Sequence, residues 1–404
     1  MRFVFLFLTL LLVLVAFVGR AQTASVLTGV VLDARTQAAV PFASLAVPGQ
    51  PGGTVTNQEG AFRLALPSVG ADSVRVQALG YSALTVSAKA APATLVLKLQ
   101  PQPFSLQEVT VTALSPATLL KRAVRQTTAR MASPVELQTY YREFTTYNGQ
   151  IAKFADALVD YYIKGNPRRP RSPEVQVRVR ESRAGEAPMA PNDAKKAIPN
   201  PLGVARTGSF YDVTQSSPYL DSTAFAKYRY TVLETPAGAT ETPYYEVHCT
   251  PITREPEHLR QATVRIDRQT MAILLIESDL PANLQPYMKT VNLLVIKAQV
   301  TQARSRVEYR EVKGRLYPSF VRLQASMDVT QLSGPTMQYD FTSEMLVRSL
   351  GETPAPFPKA EQYSGSLFKR GNKYSRPYWR EGNVVPATAA EEAAIRELEK
   401  NGER

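Results

Sequence analysis

Two groups of side chains in this chain have residue types that could do chemistry. The pair His248-Cys249 places an imidazole beside the only thiol among the 404 residues, which is the composition of a cysteine nucleophile with its base. In a strand that starts at Tyr244, successive side chains point to opposite faces, so His248 and Cys249 diverge. Cys249 then joins an apolar row with Tyr245 and Val247. We therefore expect a buried, inert thiol.

The densest group of basic side chains lies between residues 167 and 183. Within it, valines alternate with polar residues over 175–180, so the arginines project from one face of a predicted strand. Guanidinium groups pair well with phosphate, which makes this cluster a candidate contact for a phosphate-bearing lipid or an acidic glycan. The alternative, favoured for a charge run alone, is a solvated strand face beside a loop. The candidate binding residues are Arg168, Arg169, Arg171, Arg178 and Arg180.

Familiar catalytic and metal-binding motifs are absent from the sequence. His248 and His258 are its two histidines, and neither a His-x-x-Glu, a His-Glu-x-x-His nor a Gly-x-Ser-x-Gly motif occurs. A zinc hydrolase needs several His and carboxylate ligands on one metal. We therefore predict no catalytic residue, no metal ligand and no cofactor. A hydrolase with an unrecognised site is the least favoured alternative.

Residues 1–21 have the layout of a secretory signal peptide. Arg2 precedes an apolar run from Phe3 to Val18, and Gly19-Arg20-Ala21 offers small residues for cleavage after Ala21. The run is about 16 residues, shorter than the ~20 that span a bilayer as a helix. The cleavage position lacks the cysteine of a lipoprotein. We therefore expect export by the Sec route to the periplasm or to the periplasmic face of the outer membrane.

The overall composition limits the expected partners. The formal net charge is +12, and removal of the signal would lower it by two. A basic surface favours anionic partners such as lipid head groups or glycans, so a peripheral membrane contact is open. Nucleic acid is not an expected partner of an exported chain. A single cysteine cannot form an intramolecular disulfide, so the hydrophobic core alone must hold the fold.

Residues 22–100 are predicted to form a small β-sandwich. Short segments with period-two alternation are separated by turns rich in glycine, proline and asparagine. Seven short strands in about 75 residues are typical of a compact two-sheet module. The clearest strand segments are residues 26–32, 42–47, 61–66, 74–78 and 95–99.

Several short motifs of this module occur in a specific order and spacing. They are Gly29-Val30-Val31-Leu32-Asp33, Thr36, residues 40–44, 54–57, 60–62 and 72–76, and Leu79-Gly80-Tyr81. This pattern resembles the carboxypeptidase-like regulatory domain, a transthyretin-like sandwich found at the N-terminus of Bacteroidetes-type envelope proteins, including TonB-dependent receptors. The resemblance implies an accessory module without peptidase activity. The chain is too short, and its later strands are unsuitable, for the plug and barrel of such a receptor.

Residues 101–114 are predicted to be a linker, and residues 115–350 a larger second domain. Ser115 is a good helix N-cap and Pro116 suits the first helical position, while Pro134 limits the helix end. Asn148-Gly149 is a strong hairpin signal. The remaining segments predict a meander of long antiparallel strands, and hence one broad curved sheet or half-barrel. These strand segments are residues 137–147, 150–163, 175–180, 228–233, 244–250, 262–267, 272–277, 291–300, 304–311, 316–329 and 337–346. A tail, 351–404, should end in a short helix over 389–398.

These features together predict a mainly β, non-catalytic envelope protein. Its ligand would be an apolar or acyl molecule in the concave sheet, or a partner protein held by the sandwich. The strand layout of the second domain also resembles periplasmic lipoprotein carriers, an analogy of fold alone. The alternative is a structural or assembly factor that acts only through protein contacts. A long apolar cavity over residues 228–346 would favour the ligand, and a filled sheet would favour the alternative.

Overall fold

The computed structural model of the protein describes residues 25–67, 71–78, 80–88, 94–102, 107–108, 114–164, 174–187, 200–214, 217–234, 243–293, 296–331, 335–373 and 382–402. The predicted signal peptide lies outside these residues, and so do Arg168, Arg169 and Arg171. Within the described part of the chain, no helix is both long enough and apolar enough to cross a bilayer.

The N-terminal module is a sandwich of two small sheets, as predicted. One sheet has the strand order β4-β1-β7 and the other has the order β3-β2-β5-β6. Alternating burial along these strands directs apolar side chains into the space between the sheets. The seven strands are β1 (Val26–Asp33), β2 (Ser44–Ala46), β3 (Gly53–Val55), β4 (Ala61–Ala65), β5 (Ser73–Gln77), β6 (Leu84–Ser87) and β7 (Thr94–Leu99).

The residues of these sequence motifs have identifiable structural roles in this sandwich. Gly29 on β1 packs so closely on β7 that a Cβ atom there would lie 2.0 Å from the carbonyl oxygen of Leu95. The Asp33 carboxylate accepts the backbone N–H of Thr36 at 2.8 Å and the hydroxyl of Tyr81 at 3.0 Å. The pattern therefore ties distant turns of the module together.

The second domain is built on one open antiparallel sheet. Its strand order is β11-β10-β9-β19-β18-β17-β15-β14-β13-β12-β8. The short strand β16 also pairs with β17, on the same edge of β17 as β15. The sheet is not closed, because β11 and β8 are its two edges. Its strands are β8 (Gln107–Glu108), β9 (Val135–Tyr147), β10 (Gln150–Lys164), β11 (Glu174–Glu186), β12 (Tyr228–Glu234), β13 (Tyr244–Pro251), β14 (Gln261–Asp267), β15 (Ile273–Asp279), β16 (Thr290–Leu293), β17 (Ile296–Val312), β18 (Arg315–Gln331) and β19 (Thr336–Leu350).

Most local signals of the second domain are confirmed. Helix α1 (Pro116–Arg130) begins at the predicted cap, where the Ser115 hydroxyl oxygen accepts the N–H of Thr118 at 3.3 Å. The β9–β10 hairpin turns at Asn148 and Gly149, whose φ angles are 44° and 82°. Both values lie in the left-handed region that this hairpin turn requires.

One strand prediction is wrong. Residues 291–300 do not form one strand, because β16 and β17 are antiparallel and Leu293 pairs with Ile296. β17 then continues through the predicted gap at 301–303, with a bulge between Val300 and Gln302. No glycine or proline marks this reversal in the sequence, so the apolar pattern runs through it. In addition, Gln107–Glu108 of the predicted linker pair with β12 as a short edge strand.

The two faces of this sheet have different coverings. The inner face packs against α1 and against residues 204–213 and 219–220, with strand residues such as Val247, Val264 and Val321 fully buried. The Thr127 hydroxyl of α1 accepts the N–H of Ile273 at 2.8 Å, which attaches the helix to β15. The inner face over α1 is thus filled by the chain itself.

The outer face receives the sandwich and the C-terminal helix. The helices that follow α1 are α2 (Val204–Ser209), α3 (Leu367–Arg370) and α4 (Ala389–Gly402). The last of these includes the predicted terminal helix over 389–398. α4 packs Ile395 and Leu398 against outer-face phenylalanines of β9 and β10. The preceding tail covers the β11 edge, where Ser182 and Lys373 exchange two backbone hydrogen bonds of 2.9 and 2.8 Å. This pairing protects an edge that would otherwise be open.

Candidate functional site

The sandwich is attached to the outer face of the sheet by polar contacts from β17 and β18. The Arg310 guanidinium donates to the carbonyl oxygens of Pro51 and Gly52 at 3.4 and 3.2 Å and to the Ser44 hydroxyl at 3.0 Å. The Tyr317 hydroxyl donates to Pro51 O at 2.7 Å. Bonds to backbone carbonyls fix the position of the β2–β3 loop, so the surface between the two domains has a defined shape.

Phe42 is the main hydrophobic contact at this junction. Its φ angle is 55°, a conformation that is costly for a bulky side chain and marks local strain. The strained backbone directs the ring onto Phe320 of β18, with 6.3 Å between the ring centroids and 22° between the planes. The guanidinium carbons of Arg322 and Arg306 lie 4.7 and 6.0 Å from the centroid of the Phe42 ring.

A row of polar side chains, most of them charged, crosses the outer face beside Phe42. Each member is the cross-strand partner of the next, so their side chains are neighbours. Charges alternate along most of the row, with one exception, because Arg322 and Arg306 are direct neighbours of like charge. In strand order the row is Arg183, Asp156, Arg142, Glu344, Arg322, Arg306, Glu277, Thr263 and His248.

Two cavities lie beside the junction of the sandwich and the sheet, and both are lined by Arg306. We call them together the interdomain groove. The Tyr81 cavity, of about 310 Å³, is walled by sandwich residues, including Arg75 and Tyr81, and by sheet residues, including Arg265 and Glu308. The His248 cavity, of about 530 Å³, extends from Phe42 across β18, β17, β15, β14 and β13. Its polar lining includes His248, Gln261, Thr263, Glu277, Asp279, Arg304, Arg306, Arg322 and Gln324.

Ion pairs hold the charged walls of the groove in place. Arg265 donates to Glu246 Oε2 through Nε and Nη2, at 2.8 and 2.7 Å, and His248 Nε2 lies 2.8 Å from Glu246 Oε1. Burial opposes ionisation of Glu246, but His248 and Arg265 together hold its pKa below the usual value. Arg306 pairs with Glu277 and donates to Glu308 at 2.8 Å. These carboxylates are therefore oriented and already partnered.

Arg322 has a poorer set of partners than Arg265 and Arg306. Among the described residues its one ion pair joins Nη1 to Glu344, whose second oxygen accepts from Arg142 Nε at 2.5 Å. The buried Nε of Arg322 has no hydrogen-bond partner among the described residues. Burial first, and then the charges of Arg142 and Arg306, lower the pKa of Arg322 to about 10. The row thus contains a concentrated positive charge.

The structure separates His248 from Cys249, as the alternation predicted. Cys249 is 1% exposed in the core beneath the inner face, and burial raises its pKa well above the usual value. His248 is directed to the outer face and contacts Glu246. The two side chains therefore do not form a nucleophile and base pair. Among the described residues, no group of three or more His, Cys, Asp and Glu side chains is arranged to hold a metal ion.

The predicted arginine cluster is described only in part. Arg178 and Arg180 project from the outer face of β11 and both pair with the buried Asp160, Arg178 at 2.8 and 3.0 Å. Arg178 also donates to Glu361 at 3.0 Å. Their role as a contact for anionic surfaces stays a prediction, since Arg168, Arg169 and Arg171 lie outside the described residues.

The sequence interpretation missed the groove residues. A signal was present, because Arg304, Arg306, Glu308 and Arg310 alternate with less polar residues along β17. This pattern marks a polar strand face, but it does not show that a second domain covers that face. Phe42 was assigned to a strand, and its strained conformation had no visible signature in the sequence.

Comparison with known proteins identifies one part of the chain. Residues 27–111 match the CarboxypepD_reg-like domain, and no curated protein matches the chain. A LolA superfamily protein from Nitrosomonas europaea is similar at 12% identity and a TM-score of 0.22, covering 59% of this chain and 96% of that one. A DUF1329 family protein from Desulfovibrio piger is similar at 11% identity and a TM-score of 0.27, covering 61% and 99%. These TM-scores are too low to establish a common fold or function. The chain thus carries an N-terminal CarboxypepD_reg-like domain followed by a large open antiparallel sheet.

Proposed function

We propose that this chain is a non-catalytic binding protein whose ligand occupies the interdomain groove. The carrying observation is the groove itself, with its two cavities of about 310 and 530 Å³ that share Arg306 in their lining. Small-molecule sites favour concave surfaces between domains and have volumes of about 300–1,000 Å³. The fixed interdomain contacts at Arg310 and Tyr317 support a preformed site, which lowers the entropic cost of binding.

The chemistry of the lining supports binding rather than proton transfer. General acid–base catalysis uses a group whose pKa lies near the working pH. Glu246, which holds the groove residues His248 and Arg265, has a lowered pKa, and in the groove Glu277 and Glu308 each pair with Arg306. Carboxylates held in this way can accept hydrogen bonds from a ligand. Together with the amides of Gln261 and Gln324, they suit a polar ligand with many hydrogen-bonding groups, such as a glycan or a lipid head group.

The proposal can be tested by filling the groove. Thr263 lines the His248 cavity and is only partly exposed, so Thr263→Trp places an indole there without altering the core. Thr94, an exposed residue of β7 outside both cavities, provides the matched control Thr94→Trp. After exposure to an envelope extract, native mass spectrometry should show a small molecule on the wild type and on Thr94→Trp, but not on Thr263→Trp. A bound species on all three proteins, or on none, would overturn the proposal.

A second candidate is an apolar or acyl ligand on the inner face, beyond α1. At that end of the sheet Met327, Met337, Tyr339, Phe341 and Tyr147 form a separate apolar cluster, of which Met327 and Tyr147 are partly exposed. The inner face under α1 is already filled, which counts against this candidate. An acyl species that binds Thr263→Trp but not Met327→Lys would favour this candidate. If no acyl species co-purifies from the native envelope and delipidation leaves thermal stability unchanged, this candidate fails.

We also propose that the chain is exported and works in the periplasm or at the periplasmic face of the outer membrane. The support is the signal-like pattern of residues 1–21. N-terminal sequencing of the protein from fractionated cells should find a mature chain that begins at Gln22. An intact Met1 in the cytoplasmic fraction would refute the proposal. A role through protein contacts alone, without a small ligand, remains the alternative if the groove proves empty.

A further inference from the structure

Two arginines face each other in the interdomain groove where the charge alternation of the outer row is interrupted. Arg306 of β17 and Arg322 of β18 are direct cross-strand partners, and like charges in this position destabilise a sheet. Both lie over the same Phe42 ring, so neither can turn away without losing that contact. Their side chains are only 16% and 8% exposed, so water screens the repulsion poorly.

The carboxylates nearby are divided unequally between these two arginines, and Arg322 has the smaller share. Glu344 divides its two oxygens between Arg142 and Arg322, whereas Glu277 and Glu308 both serve Arg306. A buried guanidinium nitrogen without a partner costs free energy unless a ligand supplies an acceptor. Arg322 Nε is such a nitrogen, and Arg322 lines the His248 cavity.

A third arginine stands at the rim of the same cavity. Arg304 is exposed, two residues before Arg306 on the same face of β17, and it has no ion-pair partner within the described ranges. Asp279 also lines the cavity, but its two oxygens accept from Gln261 at 3.1 Å each. With Glu277 committed to Arg306, the cavity retains an excess of donors.

We propose that Arg304, Arg306 and Arg322 form an anion-binding subsite of the groove that takes a phosphate or carboxylate group of the ligand. This inference rests on the proposed function and specifies its chemistry. Guanidinium groups bind such oxyanions through paired, charge-assisted hydrogen bonds. An oxyanion in this position would accept from Arg322 Nε and lie between two like charges, which removes their repulsion.

The test uses the full mature protein and titration calorimetry with inorganic phosphate at low salt. Wild-type protein should bind phosphate, and Arg304→Gln should weaken binding about tenfold, the effect of losing roughly one charge-assisted contact. The matched control is Arg315→Gln, because Arg315 is likewise an exposed sheet arginine but lines neither cavity of the groove. It should bind phosphate like the wild type.

Two results would overturn the inference: no phosphate binding by the wild type, or equal binding by wild type and Arg304→Gln. Loss of binding in Arg180→Gln, with full binding by Arg304→Gln, would place the anion on the β11 arginines and also overturn the inference. Arg322→Met, if it folds, should lose both phosphate binding and the rise in melting temperature that phosphate produces. Arg304→Gln keeps the test decisive if that variant does not fold.

A vesicle arm distinguishes the source of the anion. Phosphatidylglycerol vesicles that compete with phosphate for the wild type, but do not bind Arg304→Gln, would identify a lipid head group. Phosphate binding without vesicle binding would identify a soluble oxyanion, and both results support the subsite. If Thr263→Trp abolishes capture of a ligand while phosphate titration shows no binding, the groove function stands and the anion subsite does not.

Discussion

The strongest stability prediction concerns Glu344, the carboxylate at the centre of the outer charged row. Its side chain is 1% exposed, and it pairs with Arg142 and Arg322, which are 4% and 8% exposed. Removing one partner of a buried ion pair costs about 3–5 kcal/mol, because the remaining charge stays buried without compensation. Glu344→Gln keeps the side-chain volume but removes the negative charge that Arg142 and Arg322 share.

The two arginines do not lose equally. Arg142 retains the carbonyl oxygens of Val385 and Pro386 at 3.3 and 3.2 Å and Glu391 at 3.4 Å, whereas Arg322 loses its ion-pair partner. We therefore expect the free energy of unfolding to fall by about 4 kcal/mol, the middle of the range for a buried pair.

Urea denaturation followed by circular dichroism measures this loss. The matched control is Glu361→Gln, because Glu361 is 48% exposed and pairs with Arg178 at 3.0 Å. An exposed ion pair contributes about 0–1 kcal/mol, so the control should unfold close to the wild type. If Glu344→Gln is destabilised no more than Glu361→Gln, the charged row does not stabilise the sheet, and our interpretation of it is wrong.

Three further predictions concern the inner face, the core and the domain junction. Burial raises the pKa of Glu143, despite hydrogen bonds from Tyr141 and Asn200 at 2.7 and 2.9 Å. Its contribution to stability is therefore complete below the unfolded value of 4.5 and is lost as the pH rises through the higher folded pKa. Glu143→Gln should stabilise the protein more at pH 8 than at pH 4 in urea titrations, and an equal change at both would contradict this. The buried Cys249 should not react with an aromatic disulfide reagent until denaturant is added, and rapid labelling of the native protein would contradict its burial. Arg310→Ala removes three interdomain hydrogen bonds, so hydrogen exchange at the Gly52 and Gly53 amides should increase, while exchange in β9 and β10 should not change.

Several features were predictable from the sequence because they depend on residues close together in the chain. The helix start at Ser115-Pro116 and the turn at Asn148-Gly149 follow from local backbone preferences. The seven-strand sandwich and the separation of His248 from Cys249 follow from the period of two along a strand. The same reasoning failed over 291–300, because a reversal without glycine or proline leaves the apolar pattern unbroken.

The interdomain groove depended on tertiary structure alone. Phe42, Arg306, Arg322 and Glu344 are separated by up to 302 positions in the numbering. Strand register makes the three charged residues neighbours, and the docked sandwich then adds the Phe42 ring and encloses the cavities. Alternation along β17 could mark a polar face, but a local pattern cannot specify which strand lies next to it or which domain covers it. The amino-acid sequence by itself therefore determined the two modules and their strands, whereas long-range pairing and domain docking decided where the groove that we propose as the ligand site lies.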